Sequence, residues 1–82
     1  MIYRAIDVWQ RRPDGQLVRY RCFQLLPDGG YCVQSADFPD AEQNAFLDKQ
    51  FLELLAESAP EERSKVHPSL EEAIAAHQAE FA

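Results

Sequence analysis

Arg12-Pro13-Asp14-Gly15-Gln16 returns fourteen residues later as Leu26-Pro27-Asp28-Gly29-Gly30, and these two stretches decide the fold. In each, proline fixes φ at the first turn position and aspartate caps the turn. Glycine then takes the positive φ that closes a three-residue hairpin loop. Strands therefore flank both turns. The runs Ile2 to Arg11, Gln16 to Leu26 and Tyr31 to Phe38 are rich in Val, Ile, Tyr, Phe, Trp and Cys, as an antiparallel three-stranded meander requires.

Three-residue loops place Arg12 opposite Gln16 and Leu26 opposite Gly30, and the remaining pairs follow by counting. One face then gathers Ile6, Val8, Val18, Tyr20, Cys22, Cys32, Ala36 and Phe38, with Gln10, Gln24 and Gln34 at its margins. This is the expected core face. The other gathers Ala5, Asp7, Trp9, Leu17, Arg19, Arg21, Phe23, Leu25, Tyr31, Val33, Ser35 and Asp37. On it Asp7 faces Arg21, Arg19 lies between Trp9 and Asp37, and Phe23 lies between Ala5 and Val33, all complementary pairings.

Pro39 ends the third strand, and Asp40 is placed to cap a helix over 40–58, with Glu42 favourable in its first turn. Leu47, Phe51, Leu54 and Leu55 form the apolar stripe of that helix, with Leu52 at its edge and Phe46 outside it. A polar linker over 59–68 follows. Ser69 and Glu72 then make a capping box for a second helix over 69–81, whose stripe is Leu70, Ala73, Ile74, His77 and Phe81. The expected fold is α+β: a β-meander (1–38) followed by two α-helices packed on one face, in two layers.

At 82 residues the chain is too short for a second independent core, so 1–82 reads as a single domain. The net charge of −6 divides unevenly, with +1 over residues 1–38 and −7 over 39–82. An acidic helical half repels phosphate backbones, which weighs against nucleic acid as a partner. Residues 1–20 hold Arg4, Asp7, Arg11 and Arg12 without a continuous apolar run, so neither a signal peptide nor a membrane span is expected there. Two cysteines are too few for a disulfide framework, and the expected location is the cytoplasm with both thiols reduced.

No catalytic grouping has a convincing spacing, so no enzyme activity and no cofactor are expected. There is no phosphate-binding glycine loop, no HExxH, and no nucleophile with a base close by in sequence. A structural zinc site needs four ligands and would have to join Cys22 and Cys32 to the distant His67 and His77. His67, beside Pro68, reads as an exposed imidazole, and His77 as a helix-boundary residue with one nitrogen hydrogen-bonded. Cys22 and Cys32, diagonal neighbours on the expected core face, read as small buried hydrophobes rather than a redox pair.

The face that carries Trp9, Phe23 and Tyr31 beside Arg19, Arg21, Asp7 and Asp37 has the aromatic and arginine mixture of interfaces. The expected function is a small noncatalytic interaction protein that meets a protein partner, or a second copy of itself, through this face or through the edge strand Ile2 to Arg11. The bland reading of the same residues is a solvated sheet face of paired charges. A nucleic-acid or nucleotide-binding sheet is the alternative, with Arg4, Arg19 and Arg21 on phosphates and Trp9 or Tyr31 stacking on bases.

In order along the chain, Asp28-Gly29-Gly30-Tyr31-Cys32-Val33, Asp37-Phe38-Pro39 and Ser69-Leu70-Glu71-Glu72-Ala73 resemble pieces of the HicB-type antitoxin pattern. That family has a short connection and a further strand where this chain carries the acidic helix over 40–58. The resemblance implies an antitoxin role.

Overall fold

The computed structural model describes residues 1–38, 40 and 42–81, with Phe81 described by its backbone alone. Strands β1 (Ile2–Arg11), β2 (Leu17–Leu26) and β3 (Gly30–Asp37) form an antiparallel sheet in the order β1-β2-β3. Helices α1 (Asn44–Glu57), α2 (Pro60–Arg63) and α3 (Leu70–Phe81) follow. The α+β class and the order of meander then helices are those read from the sequence. The expectations placed on Pro39 and on the Phe81 side chain lie outside the described residues.

The first hairpin has the expected chemistry. Arg12 N–H donates to the Gln16 carbonyl and Gly15 N–H to the Arg12 carbonyl, both at 2.8 Å, while Gly15 takes φ of 87°. The Asp14 carboxylate accepts from Gln16 N–H at 2.9 Å, which ties the turn to its own aspartate. Asp7 pairs with Arg21 and Trp9 with Arg19 in consequence.

The second hairpin corrects the expected register. Gly29 N–H donates to the Leu25 carbonyl at 2.8 Å, and it is Gly30, not Gly29, that takes the positive φ, 89°. Leu25 therefore faces Gly30, and the loop runs over Leu26-Pro27-Asp28-Gly29. The slip is reversed inside the sheet. A β-bulge lies where Arg21 pairs with Ser35 but Cys22 with Val33, leaving Gln34 as the extra residue. Beyond the bulge, Arg19 faces Asp37 as expected.

Because side chains alternate along a strand, a one-residue slip exchanges the faces of Tyr31, Cys32 and Val33. Val33 joins Cys22 on the even-numbered face of β2, and Cys32 joins Phe23 on the odd-numbered face. The expectations that Cys22 and Cys32 share a face, and that Tyr31 and Val33 lie beside the arginines, are corrected accordingly.

The bulge also redistributes the core. On the even face, Val18, Tyr20, Cys22 and Val33 are covered by Leu70, Ala73 and Ile74 of α3. On the odd face, Phe23, Leu25 and Cys32 form a second buried cluster with Phe51 and Leu55 of α1 and Val66 of the linker. The Phe51 and Phe23 rings stack with centroids 5.1 Å apart. Helix α1 thus packs opposite α3 rather than beside it, with Phe51 and Leu55 of its stripe resting on Phe23, Leu25 and Cys32.

Helix ends follow local hydrogen bonding. Ser69 Oγ accepts from Glu72 N–H and donates to the Glu72 carboxylate, each at 3.1 Å, so Ser69 caps the start of α3 as expected, with Glu72 answering its hydroxyl. Asp40 instead caps a turn: its carboxylate accepts from Glu42 N–H at 2.9 Å, its carbonyl from Gln43 and Asn44, and α1 starts only at Asn44. The linker is structured. It contains α2, opened by the buried Pro60, and its His67 exchanges two backbone hydrogen bonds with Tyr31, at 2.8 and 2.7 Å.

Candidate interaction site

The residues singled out from the sequence separate into three groups. Trp9, Arg19 and Asp37 form a row across the odd face, one residue from each strand. Arg19 grips Asp37 through two hydrogen bonds of 2.9 and 3.0 Å, and its guanidinium lies 5.8 Å from the centre of the Trp9 ring. That grip raises the Arg19 pKa above its ordinary value. The guanidinium is buried while Trp9 is 52% exposed, so Arg19 serves as a rigid floor under an exposed indole.

Arg21 and Phe23 form the second group and are covered. Arg21 is 6% exposed, pairs with Asp48 of α1 and stacks over Phe51 at 5.2 Å, so it answers α1 and not the Asp7 that faces it in β1. Phe23 is 1% exposed. The third group is scattered: Asp7 is exposed on β1, and Tyr31 is half-buried on the opposite face against the α3 side of the core.

The two sheet edges differ more than the two faces do. The outer edge of β3 is bulged at Gln34 and bridged by His67, and the Ser64 hydroxyl donates to the Val33 carbonyl at 2.8 Å. The outer edge of β1 has none of these protections. The Arg12 to Gln16 bond sets the phase of the ladder, so even-numbered residues of β1 bond to β2 and Tyr3, Ala5, Asp7, Trp9 and Arg11 turn N–H and C=O outward. Among the described residues, no backbone hydrogen bond from outside the ladder reaches these groups. Met1 and Ile2 are 77% and 70% exposed at one end and Trp9 lies near the other.

A cleft of about 620 Å³, which the sequence did not announce, opens on the even face beside His77 of the α3 stripe. Gln10, Arg12, Tyr20, Phe38, His77 and Gln78 are among its walls. Its polar groups largely answer one another. The Tyr20 hydroxyl donates to Gln10 Oε1 and accepts from Gln78 Nε2, both at 3.0 Å, and Arg12 lies 5.4 Å above the Phe38 ring. His77 meets Tyr20 edge to face at 6.0 Å, and burial holds its imidazole below the usual range against an opposing pull from Glu80. Gln10 and Phe38, read from sequence as margin and core, are thus exposed around this opening.

No family model, curated protein or solved structure matches this chain. The pieces that resemble the HicB-type pattern therefore do not extend to a family assignment. No helix among the described residues is long and apolar enough to cross a membrane.

Cys22 and Cys32 are both free and fully buried, on opposite faces. Burial pushes the Cys22 thiol up to about 12 and raises Cys32 as well. Burial, together with the hydroxyl's hydrogen bond to the Glu61 carboxylate, pushes Tyr3 up to about 12. These groups hold their protons more tightly folded than unfolded, so their contribution is complete below about pH 9 and is lost as pH rises toward 12. Urea unfolding midpoints are expected to agree between about pH 7 and 8 and to fall above about pH 9. A thiol reagent should modify both cysteines slowly in the native protein and fast in urea. A midpoint unchanged at about pH 11, or rapid native labelling, contradicts this account.

Proposed function

We propose that this chain is a noncatalytic interaction module that takes up a protein partner by adding a strand to the open edge of β1. The supporting observation is the asymmetry of the edges. Natural sheets blunt their edges with prolines, lysines, bulges, short strands or covering loops, because unpaired N–H and C=O groups recruit other chains. The β3 edge has a bulge and a covering loop. The ten-residue β1 has no proline, glycine, lysine or bulge, and its charged residues are Arg4, Asp7 and Arg11. Backbone bonds along such an edge supply affinity, and the exposed Ile2 and Trp9 supply side-chain anchors.

Charge agrees with this placement, since the edge belongs to the +1 portion of the chain and the −7 portion is elsewhere. Two of the three arginines of the phosphate-binding alternative, Arg19 and Arg21, are buried and committed to Asp37 and Asp48, which leaves it Arg4 alone. The two free, buried thiols suit a reducing compartment, and we place the module in the cytoplasm.

Asp7→Pro tests the reading, because it deletes an outward N–H while the bonds to β2 stay in place. Affinity capture from the native host should lose its specific partner with Asp7→Pro or Trp9→Lys. It should keep that partner with Phe46→Lys, a change at an exposed position of α1. Capture indifferent to the edge variants rejects strand addition.

A further inference from the structure

We propose that the strand added to β1 is the β1 of a second copy of this chain, running antiparallel about a twofold axis that passes through Ile6. This rests on the strand-addition reading above and names its partner.

A twofold axis perpendicular to the sheet preserves the two faces, so it pairs odd-numbered residues with odd and even with even. Outward-turned odd residues then exchange backbone bonds, as an antiparallel ladder demands. Within Ile2–Arg11, only axes through Ile6 or Asp7 engage all but one residue of the strand. The Asp7 axis sets two carboxylates directly opposite, which is destabilising, and the shorter Arg4-centred overlap does the same with two arginines.

The Ile6 axis avoids every such conflict. It pairs Ile6 with Ile6, Ala5 with Asp7, Arg4 with Val8, Ile2 with Gln10 and Tyr3 with Trp9. Every charged residue meets an uncharged one, and the aromatic pair occurs twice, once on each side of the axis. Ile6 already packs against the even-face core, so an Ile6–Ile6 contact joins the cores of both copies under one six-stranded sheet. Trp9, 52% exposed in the single chain, gains a neighbour in Tyr3 of the second copy.

Cysteine scanning reads the axis directly. Under this geometry Ile6 faces its own symmetry mate at a non-hydrogen-bonded site, where Cα atoms stand about 4.5 Å apart, within disulfide range. The full chain is made with Cys22→Ala, because Cys22 is the direct β2 partner of Ile6, and with the single changes Arg4→Cys, Ala5→Cys, Ile6→Cys, Asp7→Cys and Val8→Cys, with the buried Cys32 left in place, and is oxidised mildly.

Ile6→Cys should become a covalent dimer far faster than the other four, and Arg4→Cys should crosslink only when mixed with Val8→Cys. Sedimentation of the unmodified 9.4 kDa chain should give twice that mass, and Asp7→Pro should return it to the single mass. Self-crosslinking that peaks at another position overturns the Ile6 axis. A monomeric mass for the unmodified chain at high concentration overturns the second copy as occupant, even if Ile6→Cys fails to fold. That result leaves strand addition to be judged by the capture experiment, where Asp7→Pro is compared with the unmodified chain on a different protein.

Discussion

Phe23→Ala is expected to cost about 3–5 kcal/mol of folding stability, measured as a fall in the urea midpoint at constant slope. The residue is 1% exposed, its ring stacks on Phe51 at 5.1 Å and meets Tyr3 edge to face at 5.7 Å. Truncation would open a void between the sheet and α1 that neither partner can fill, because Phe51 is fixed by its own helix and Tyr3 by Glu61. Whole-chain stability at this size is about 4–12 kcal/mol, so the variant loses a large share of it. Phe46→Ala, at a position 65% exposed on the same helix, is the matched control and should stay within about 0.5 kcal/mol of the parent. Equal and small effects at both positions would mean that the odd face is solvated and that α1 does not cover it.

That contrast marks where the sequence could be read and where it could not. The first hairpin was legible because one glycine, Gly15, stood where a single loop length placed it. The second offered two glycines in succession, and both loop lengths satisfy the same turn chemistry up to Gly29. Arg19 stands beside Asp37 in either register, since the Gln34 bulge restores the pairing before that pair is reached. A long-range check that is satisfied beyond the bulge carries no information about the residues before it.

The candidate site differs from its reading for a separate reason. Phe23 reads as an interface residue because Arg19, Arg21, Asp7 and Asp37 share its face, and a face with four charges reads as open to solvent. The buried arginines concealed it further, since Arg21 reads as solvated until Asp48 and Phe51 are brought to it from α1. The stripe Leu47, Phe51, Leu54 and Leu55 was plain, but periodicity gives the face of a helix and not the surface it meets. By contrast, the openness of β1 follows directly from residues missing from its sequence, namely proline, glycine and lysine.

Gly30→Ala should cost about 2–5 kcal/mol, whereas Gly15→Ala should cost about 1–2 kcal/mol, although both glycines have nearly the same positive φ. The shared part is left-handed backbone strain on an L-residue. The difference is the neighbourhood. A Cβ on Gly15 meets nothing within 4 Å, but on Gly30 it would lie 2.7 Å from the His67 carbonyl oxygen and 2.8 Å from Val66 Cγ1. Relief requires the linker to withdraw, which breaks the two hydrogen bonds between Tyr31 and His67. Amide exchange at those two residues should accelerate in Gly30→Ala and remain slow in Gly15→Ala, and equal costs for the two variants would refute the contact. On the pairing proposed for β1, the loss also reaches the assembly. A chain with one open edge stops at a pair, while a chain with two can add strands on both sides and form open-ended assemblies. Folded Gly30→Ala is therefore expected to sediment above the mass of a dimer, and a mass still equal to the parent's would show that the bulge at Gln34 closes the β3 edge without help from His67.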